Sequence, residues 1–366
     1  MGQKCIRKLI TENGREFSGY GFGANKEVVC ELVFSTAMVG YQEMLSDPTC
    51  TDLGVVMTYP LVGNYGITDE DNESRNPTIA ALVVREYNDL PSNFRYTSTL
   101  AEMMEDAGIV GIEGLDTREL TRLIRDEGSQ RCIITSEEIA VEEAVVRIKA
   151  APVRNDAVSR VSCKKRWYSR TADHRYNVVA VDCGIKQNII RTLNKCGCNV
   201  TVVPYNTKAE DILALRPDGL VISNGPGAAE DVPCVVEMVK ELKGKLPIFG
   251  ISLGHLIICL AFGAKTYKMK LGHSGGNHPV KNLLTGKVEV TSQNHAYAVD
   301  AESLTGTGLQ ITHMNLLDNT VEGVCSEDGS ILSVQYHPES APGPQDGIYL
   351  FEQFMDMMKQ GGANRA

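Results

Sequence analysis

The sequence predicts an α/β protein. Its carboxyl-terminal domain is built on a doubly wound, mostly parallel sheet, and an α+β domain precedes it. Three observations carry this reading. Apolar runs alternate with amphipathic stretches from residue 177 to residue 251. That alternation ends in a strand–turn–helix signature, Gly250-Ile251-Ser252-Leu253-Gly254. A polar, basic, weakly periodic stretch separates it from the first half. The domain boundaries that follow are 1–151 for the first domain, 152–176 for a linker and 177–360 for the second domain.

In the first half, residues 5–9 and 16–21 read as short strands around the turn Glu12-Asn13-Gly14. Residues 27–35, rich in Val and Phe, form a longer strand candidate. Residues 36–49 read as a short helix and a Pro-containing turn, and 53–58 as a buried strand before the turn 63–66. Asp116 opens a helix, with Glu119 placed to complete a capping box. Strands first and helices later make an α+β unit. No acid pair, histidine cluster or phosphate loop stands out, so this half reads as a scaffold or interaction domain. In the linker, Lys164-Lys165-Arg166-Trp167 is either a docking patch or a solvated face.

The second half alternates: strand 177–182, helix 186–194, strand 199–204, helix 209–215, strand 218–223, helix 232–242, strand 246–251. Such alternation makes a parallel sheet with ligands at the carboxyl ends of its strands. Residues 265–270 and 287–292 read as antiparallel strands joined by a structured loop over 272–279. That loop holds His273 and His278, but no third ligand is near in sequence, so no metal site is assigned. Residues 331–336 form a strand that delivers His337-Pro338-Glu339, and 346–358 a closing helix.

Composition bounds the function. The length of 366 residues suits two domains, and the 43% hydrophobic content is ordinary. No apolar run is long enough to span a bilayer and no signal peptide is evident, which predicts a cytoplasmic protein. A net charge of −10 argues against nucleic acid. Eleven scattered cysteines without metal spacing read as reduced thiols.

Candidate chemistry gathers at three places. Glycines at 250 and 254 let the chain reverse around Ser252, which is either a nucleophile on a sharp elbow or the N-cap of the next helix. Asn224-Gly225-Pro226-Gly227 ends a strand beside that elbow, as an anion-contacting turn or a plain tight turn. His337, two residues before Glu339, has the form of a base oriented by a carboxylate. The chain order is nucleophile, histidine, acid, unlike that of α/β-hydrolases.

Gly250-Ile251-Ser252-Leu253-Gly254-His255, with Asn224-Gly225-Pro226-Gly227 before it and His337-Pro338-Glu339 after it, resembles the class I (triad) glutamine amidotransferases. Five further stretches are similar to the small subunits of carbamoyl-phosphate synthase. They are Lys265 to Lys270, Gly275-Gly276-Asn277-His278-Pro279-Val280, Thr291-Ser292-Gln293-Asn294-His295 and, in the first half, Thr36 to Glu43 with Thr58 to Asn64. The resemblance covers nearly the whole chain. It implies a class I amidotransferase-like second domain that hydrolyses L-glutamine to glutamate and ammonia. The ammonia passes to a large subunit that makes carbamoyl phosphate, so a heterodimer is implied. ATP and magnesium belong to that large subunit, and no cofactor to this chain. The product feeds arginine or pyrimidine biosynthesis. By motif match, Ser252 stands at the nucleophile, His337 is its base and Glu339 the orienting acid. Gly225, Gly227, Leu253, Leu256, Asn294, Ala296 and Tyr297 fall where the family binds glutamine, with Thr49 reaching in from the first domain. The backbone N–H groups of Gly227 and Leu253 match the oxyanion site.

The chain departs from the family at that pocket. Serine replaces the nucleophilic cysteine, and a thiolate forms far more easily than an alkoxide because free cysteine titrates near ~8.5. Leu256 replaces a glutamine, Ala296 a glycine, and Ala228 and Ala229 an aspartate and a proline. These changes predict impaired glutaminase activity. The alternatives are a silent pseudo-amidotransferase that supports an ammonia-dependent synthetase and, behind it, a serine hydrolase.

Overall fold

The structure is a computed structural model that describes residues 5–363. It divides into two units. One runs to Arg154 and includes Lys270–Ser274; the other comprises Asn155–Met269 and the chain from Gly275 onward.

In the first unit seven strands close into a barrel. Their order is Ile6–Thr11, Glu16–Gly23, Val110–Glu113, Ala81–Val83, Leu53–Met57, Val28–Ser35 and Gln130–Thr135. Closure leaves no edge to template aggregation. Side-chain alternation splits the apolar residues into separate clusters. Leu9, Leu32, Val56, Val83, Ile112 and Ile134 pack with Leu120 and Ile124 of the helix Thr117–Glu127. Val55, Met57 and Leu82 pack instead with Leu45 and with Leu100 and Met104 of the helix Leu100–Ala107.

One cap differs from expectation. Asp116 Oδ1 accepts from the backbone N–H of Glu119 at 2.9 Å, but Glu119 does not close a capping box. The complete box lies at Thr99 and Glu102, where both reciprocal hydrogen bonds form. The expected helix within 36–49 is Tyr41–Ser46, followed by a 3-10 turn, Pro48–Cys50.

The second unit holds a ten-stranded sheet. Five central strands are parallel, in the order Cys198–Pro204, Tyr176–Asp182, Gly219–Ile222, Ile248–Ile251 and Ile331–Val334. The first strand in the chain sits between the second and third, so the winding direction reverses there. Alternation along Tyr176–Asp182 feeds both faces. Val179 and Val181 join a cluster with Ile212, Val239 and Ile257, and Val178 and Ala180 one with Ile189, Phe351 and Phe354. This is a doubly wound α/β domain, as the alternation predicts.

Several boundaries move. The stretch 272–279, expected to be a loop, is part of one strand, Thr266–Asn282, paired with Val288–Val299. Its Gly, His, Asn and Pro content resembles a loop, but pairing with neighbouring strands overrides local propensity. The strand expected over 331–336 ends at Val334, and the closing helix runs Tyr349–Ala363. Within 152–176 lie a short helix, Ala157–Val161, and a strand, Trp167–Ser169, that pairs with Cys198–Pro204.

Asp116→Ala should cost ~1 kcal/mol by removing the N-cap acceptor. Urea unfolding of the two proteins side by side measures it, and an unchanged midpoint would refute the assignment.

Candidate active site

The site is built where the parallel strands end. Gly219–Ile222, Ile248–Ile251 and Ile331–Val334 are neighbours in the sheet. The segments that follow them, 223–227, 252–256 and 335–339, therefore emerge side by side. The strand Tyr176–Asp182, next in the row, adds the segment that ends in Lys186.

The elbow is a requirement of close packing. A Cβ at 254 would stand 2.2 Å from the Ile222 carbonyl oxygen, and one at 250 would stand 2.5 Å from Ile258 Cδ1. Only glycine fits either position. Between them Ser252 takes φ 55° and ψ −106°, a conformation that costs a non-glycine residue of order 1–3 kcal/mol. Backbone hydrogen bonds hold it there: Ser252 N donates to Val334 O at 2.8 Å, and Gly254 N to Ser223 O at 3.1 Å. Ser252 occupies the N-cap position of the next helix, but its side chain makes no capping hydrogen bond. The helix Leu253–Ala261 starts directly beside it, with its N-terminal N–H groups at the turn.

His337 and Glu339 form a buried pair. His337 Nδ1 donates to Glu339 Oε1 at 2.7 Å. Lys186 Nζ stands 3.1 Å from the same oxygen and donates to Ser340 O at 2.6 Å. Burial pushes the Glu339 carboxyl up, but the charge of Lys186 and the contact with His337 outweigh it and hold the pKa at about 2. Glu339 is thus a fixed anion at any physiological pH. Asn188 Nδ2 donates to the Glu339 carbonyl. His337 Nε2 and Glu339 Oε2 are buried without hydrogen-bond partners among the described residues. No hydrogen bond therefore joins His337 Nε2 to Ser252 Oγ.

The other predicted residues fall as follows. Gly225 lies against the chain: a Cβ there would stand 2.2 Å from Cys183 O and 2.9 Å from Leu253 Cδ2. Gly227 adopts φ +83°, which favours glycine. Leu253 is buried at the helix start, and Leu256, one turn on, is buried in the apolar cluster with Ile257 and Val239. Asn294, Ala296 and Tyr297 lie on the strand Val288–Val299. That strand reaches the His337 segment, because His337 N donates to Ser292 O at 2.9 Å. Thr49 belongs to the first unit, buried in the turn Pro48–Cys50, where Asp47 Oδ1 accepts from its backbone N–H at 2.9 Å.

Two side chains of this region were not read from the sequence as part of it. Lys186 read only as the start of a helix; its signal was its place just past a parallel strand. His255 lies in the elbow motif, yet it is fully buried with its pKa lowered by burial to about 3, and its Nδ1 pairs with Ser333 Oγ at 2.9 Å. It is a neutral strut between the elbow helix and the strand preceding His337.

Residues 179–357 match the glutamine amidotransferase class-I family, and the second unit is a domain of that class. Residues 9–134 match the CPSase domain of the carbamoyl-phosphate synthase small chain. The carbamoyl phosphate synthase small chain of Listeria monocytogenes is 50% identical over 352 residues, covering 96% of both proteins. That of Staphylococcus epidermidis is 48% identical over 353 residues, with 96% of each covered. The Chlorobaculum tepidum protein is 48% identical over 359 residues, 96% of this chain and 97% of its own. The chain belongs to the carbamoyl phosphate synthase small chain family.

The held-down Glu339 pKa fixes a sign. The folded carboxyl titrates near about 2, below its ordinary 4.5, so its contribution is full above pH 4.5 and fades as pH falls toward 2. Lys186→Met removes one partner of a buried ion pair and should cost ~3–5 kcal/mol at neutral pH. It should also flatten the loss of stability between those pH values. Urea unfolding of both proteins across that range checks it; parallel pH curves would refute the pairing.

Proposed function

We propose that this chain is the glutamine-handling subunit of a carbamoyl-phosphate synthase, with glutaminase activity held low by its own pocket residues. The observation that carries this reading is the buried His337–Glu339–Lys186 assembly, whose histidine and glutamate follow the strand next to the strained Ser252 elbow. In this reading L-glutamine binds with its side-chain carboxamide over position 252, lined by Gly225, Gly227, Leu253, Asn294 and Tyr297. The nucleophile adds to the carboxamide carbon as its proton passes to His337 Nε2. The oxyanion is met by the N–H groups of Gly227 and Leu253. The carbon–nitrogen bond breaks as His337 returns the proton to the departing ammonia. Water then cleaves the acyl group to give glutamate. Glu339 keeps the Nδ1 proton in place throughout, and Lys186 keeps Glu339 ionised.

Each pocket departure acts against this sequence. A serine hydroxyl must be deprotonated in the attack itself, whereas a thiol near a histidine is partly ionised beforehand. Oxygen is smaller than sulfur and sits closer to its Cβ, which accords with a buried Nε2 left without a partner. Leu256 turns an apolar side chain into the core where the resemblance implies a glutamine. Ala296 adds a methyl group beside the ligand.

Partner and setting complete the reading. The carbamoyl-phosphate-forming steps, with their ATP and magnesium, fall to a large subunit, and this chain carries no cofactor. A cytoplasmic location suits it, and no helix among the described residues is long and apolar enough to cross a membrane. A second reading, a silent partner that supports an ammonia-dependent synthetase, is favoured by the missing hydrogen bond at His337 Nε2.

Glutamate release separates the two. The chain as it stands should be nearly inactive, and Ser252→Cys should recover part of the rate. Adding Leu256→Gln and then Ala296→Gly should raise it stepwise, since one lost transition-state contact commonly costs ~10²-fold. Rapid hydrolysis by the unaltered chain would defeat both the impairment and the silent-partner reading. No gain in any of the three variants would defeat the glutaminase reading.

Association is the independent test. Sedimentation with a cognate large subunit should show a complex at micromolar concentration, where an affinity of about −8 kcal/mol suffices. Two separate species at that concentration would count against the subunit assignment.

A further inference from the structure

Behind the base segment lies a buried polar group that the reaction above does not use. Tyr336, the residue before His337, is buried, and its hydroxyl donates to Glu289 Oε2 at 3.2 Å. Glu289 Oε1 accepts from the hydroxyl of Tyr349, the first residue of the closing helix, at 2.9 Å. Tyr349 Oη in turn accepts from Asn282 Nδ2 at 2.9 Å and meets His313 Nε2 at 3.0 Å. Thr312 Oγ1 meets His313 Nδ1 at 2.8 Å. The proton order is determined. Tyr349 spends its one proton on Glu289, so His313 must donate from Nε2, and Thr312 donates to Nδ1. Burial lowers the His313 pKa to about 4 and raises both tyrosines, so this order holds across the physiological range.

The segment just before Tyr349 touches both neighbours of the base. A Cβ on Gly347 would stand 2.9 Å from the Tyr336 ring and 3.2 Å from Pro338 Cα. Asp346 Oδ2 accepts from Val290 N at 3.0 Å, tying the same segment to the strand that carries Glu289. That strand also holds His337 directly through Ser292 O at 2.9 Å. His337 is therefore bracketed, with the residues before and after it backed by one short segment and the strand beside it.

We propose that Glu289, Tyr336, Tyr349 and Gly347 form a positioning clamp for the His337 imidazole. None of them touches substrate. They act by fixing the backbone from which the imidazole projects, which matters because a displacement near 1 Å can cost ~10²-fold in rate. The proposal rests on His337 being the base, and its test is chosen to be read separately from that role.

The readout is the proton on His337 Nδ1, held by Glu339 and visible as a downfield nuclear magnetic resonance signal in the intact protein. His337→Gln assigns it. Gly347→Ala, Tyr349→Phe and Glu289→Ala should each shift or broaden the signal, and Glu289→Gln, which keeps an acceptor oxygen, should largely restore it. Val200→Ala, a cavity in the same apolar cluster but on a distant strand, should lower stability and leave the signal in place. In the Ser252→Cys form, Tyr349→Phe should lower kcat of glutamate release by ~10-fold while KM changes little, the pattern of a lost transition-state arrangement. An unmoved signal in folded Tyr349→Phe and Glu289→Ala, or an equal shift in Val200→Ala, would overturn the clamp. Undiminished glutamate release by His337→Gln in the Ser252→Cys form would instead overturn the base role, whatever the signal does.

Discussion

The second unit depends on how closely one helix approaches the sheet. Gly254 passes the Ile222 carbonyl oxygen at a distance that leaves no room for a side chain. That approach seats the helix Leu253–Ala261 on the sheet and buries Leu256, Ile257 and Ile258. Each such side chain contributes ~1.5–3 kcal/mol when removed from water. The strained backbone at Ser252 costs about as much as one of them. The elbow is thus stable because the apolar face behind it more than offsets the strain. The strain is carried by the backbone, so it persists with serine as it would with cysteine. The elbow geometry does not depend on whether position 252 carries a hydroxyl or a thiol.

A different constraint governs the His337–Glu339 pair. Glu339 is a buried anion, and burial alone would neutralise it. Lys186 prevents this from the far side of the sheet order, by a contact 153 residues away in the chain, as the numbers 186 and 339 show. The pair satisfies only one carboxylate oxygen directly, and His337 shares that same oxygen. The second oxygen and His337 Nε2 remain unpartnered among the described residues. Buried polar atoms left this way cost ~1–3 kcal/mol each. Stability alone therefore does not account for the polar side chains at these two positions.

What the sequence disclosed followed the range of the interaction. The elbow was legible because its glycines, its nucleophile position and its helix lie within a dozen residues. The His337–Glu339 pair was legible because it spans two. The alternation over 177–251 was legible because buried parallel strands read as apolar runs. Lys186 was hidden because nothing local to it points to Glu339. The barrel closure was hidden for the same reason: Ala81–Val83 is only three residues long, and its partners come from distant strands. The strand through 272–279 was misread because glycine and proline dominate local expectation, while cross-strand pairing decides the outcome.

Leu256, Ala228, Ala229 and Ala296 share a physical character that bears on how the chain came to hold them. Leu256 and Ala229 are buried in the same apolar cluster, Ala228 is buried at its edge, and Ala296 is partly covered. Each puts apolar volume where the family resemblance implies a polar or backbone-restricting residue, apart from Ala296, which adds a methyl where glycine is implied. Such exchanges replace polar or backbone-restricting groups with apolar volume while keeping packing, so folding does not oppose them. The buried ion pair behaves in the opposite way, because loss of either partner leaves the other charge stranded. Stability therefore protects Lys186, Glu339 and the glycines of the elbow, and leaves positions 228, 229, 256 and 296 free to change. An elbow and an ion pair held by packing and charge, beside positions that carry apolar side chains, is the state this asymmetry produces.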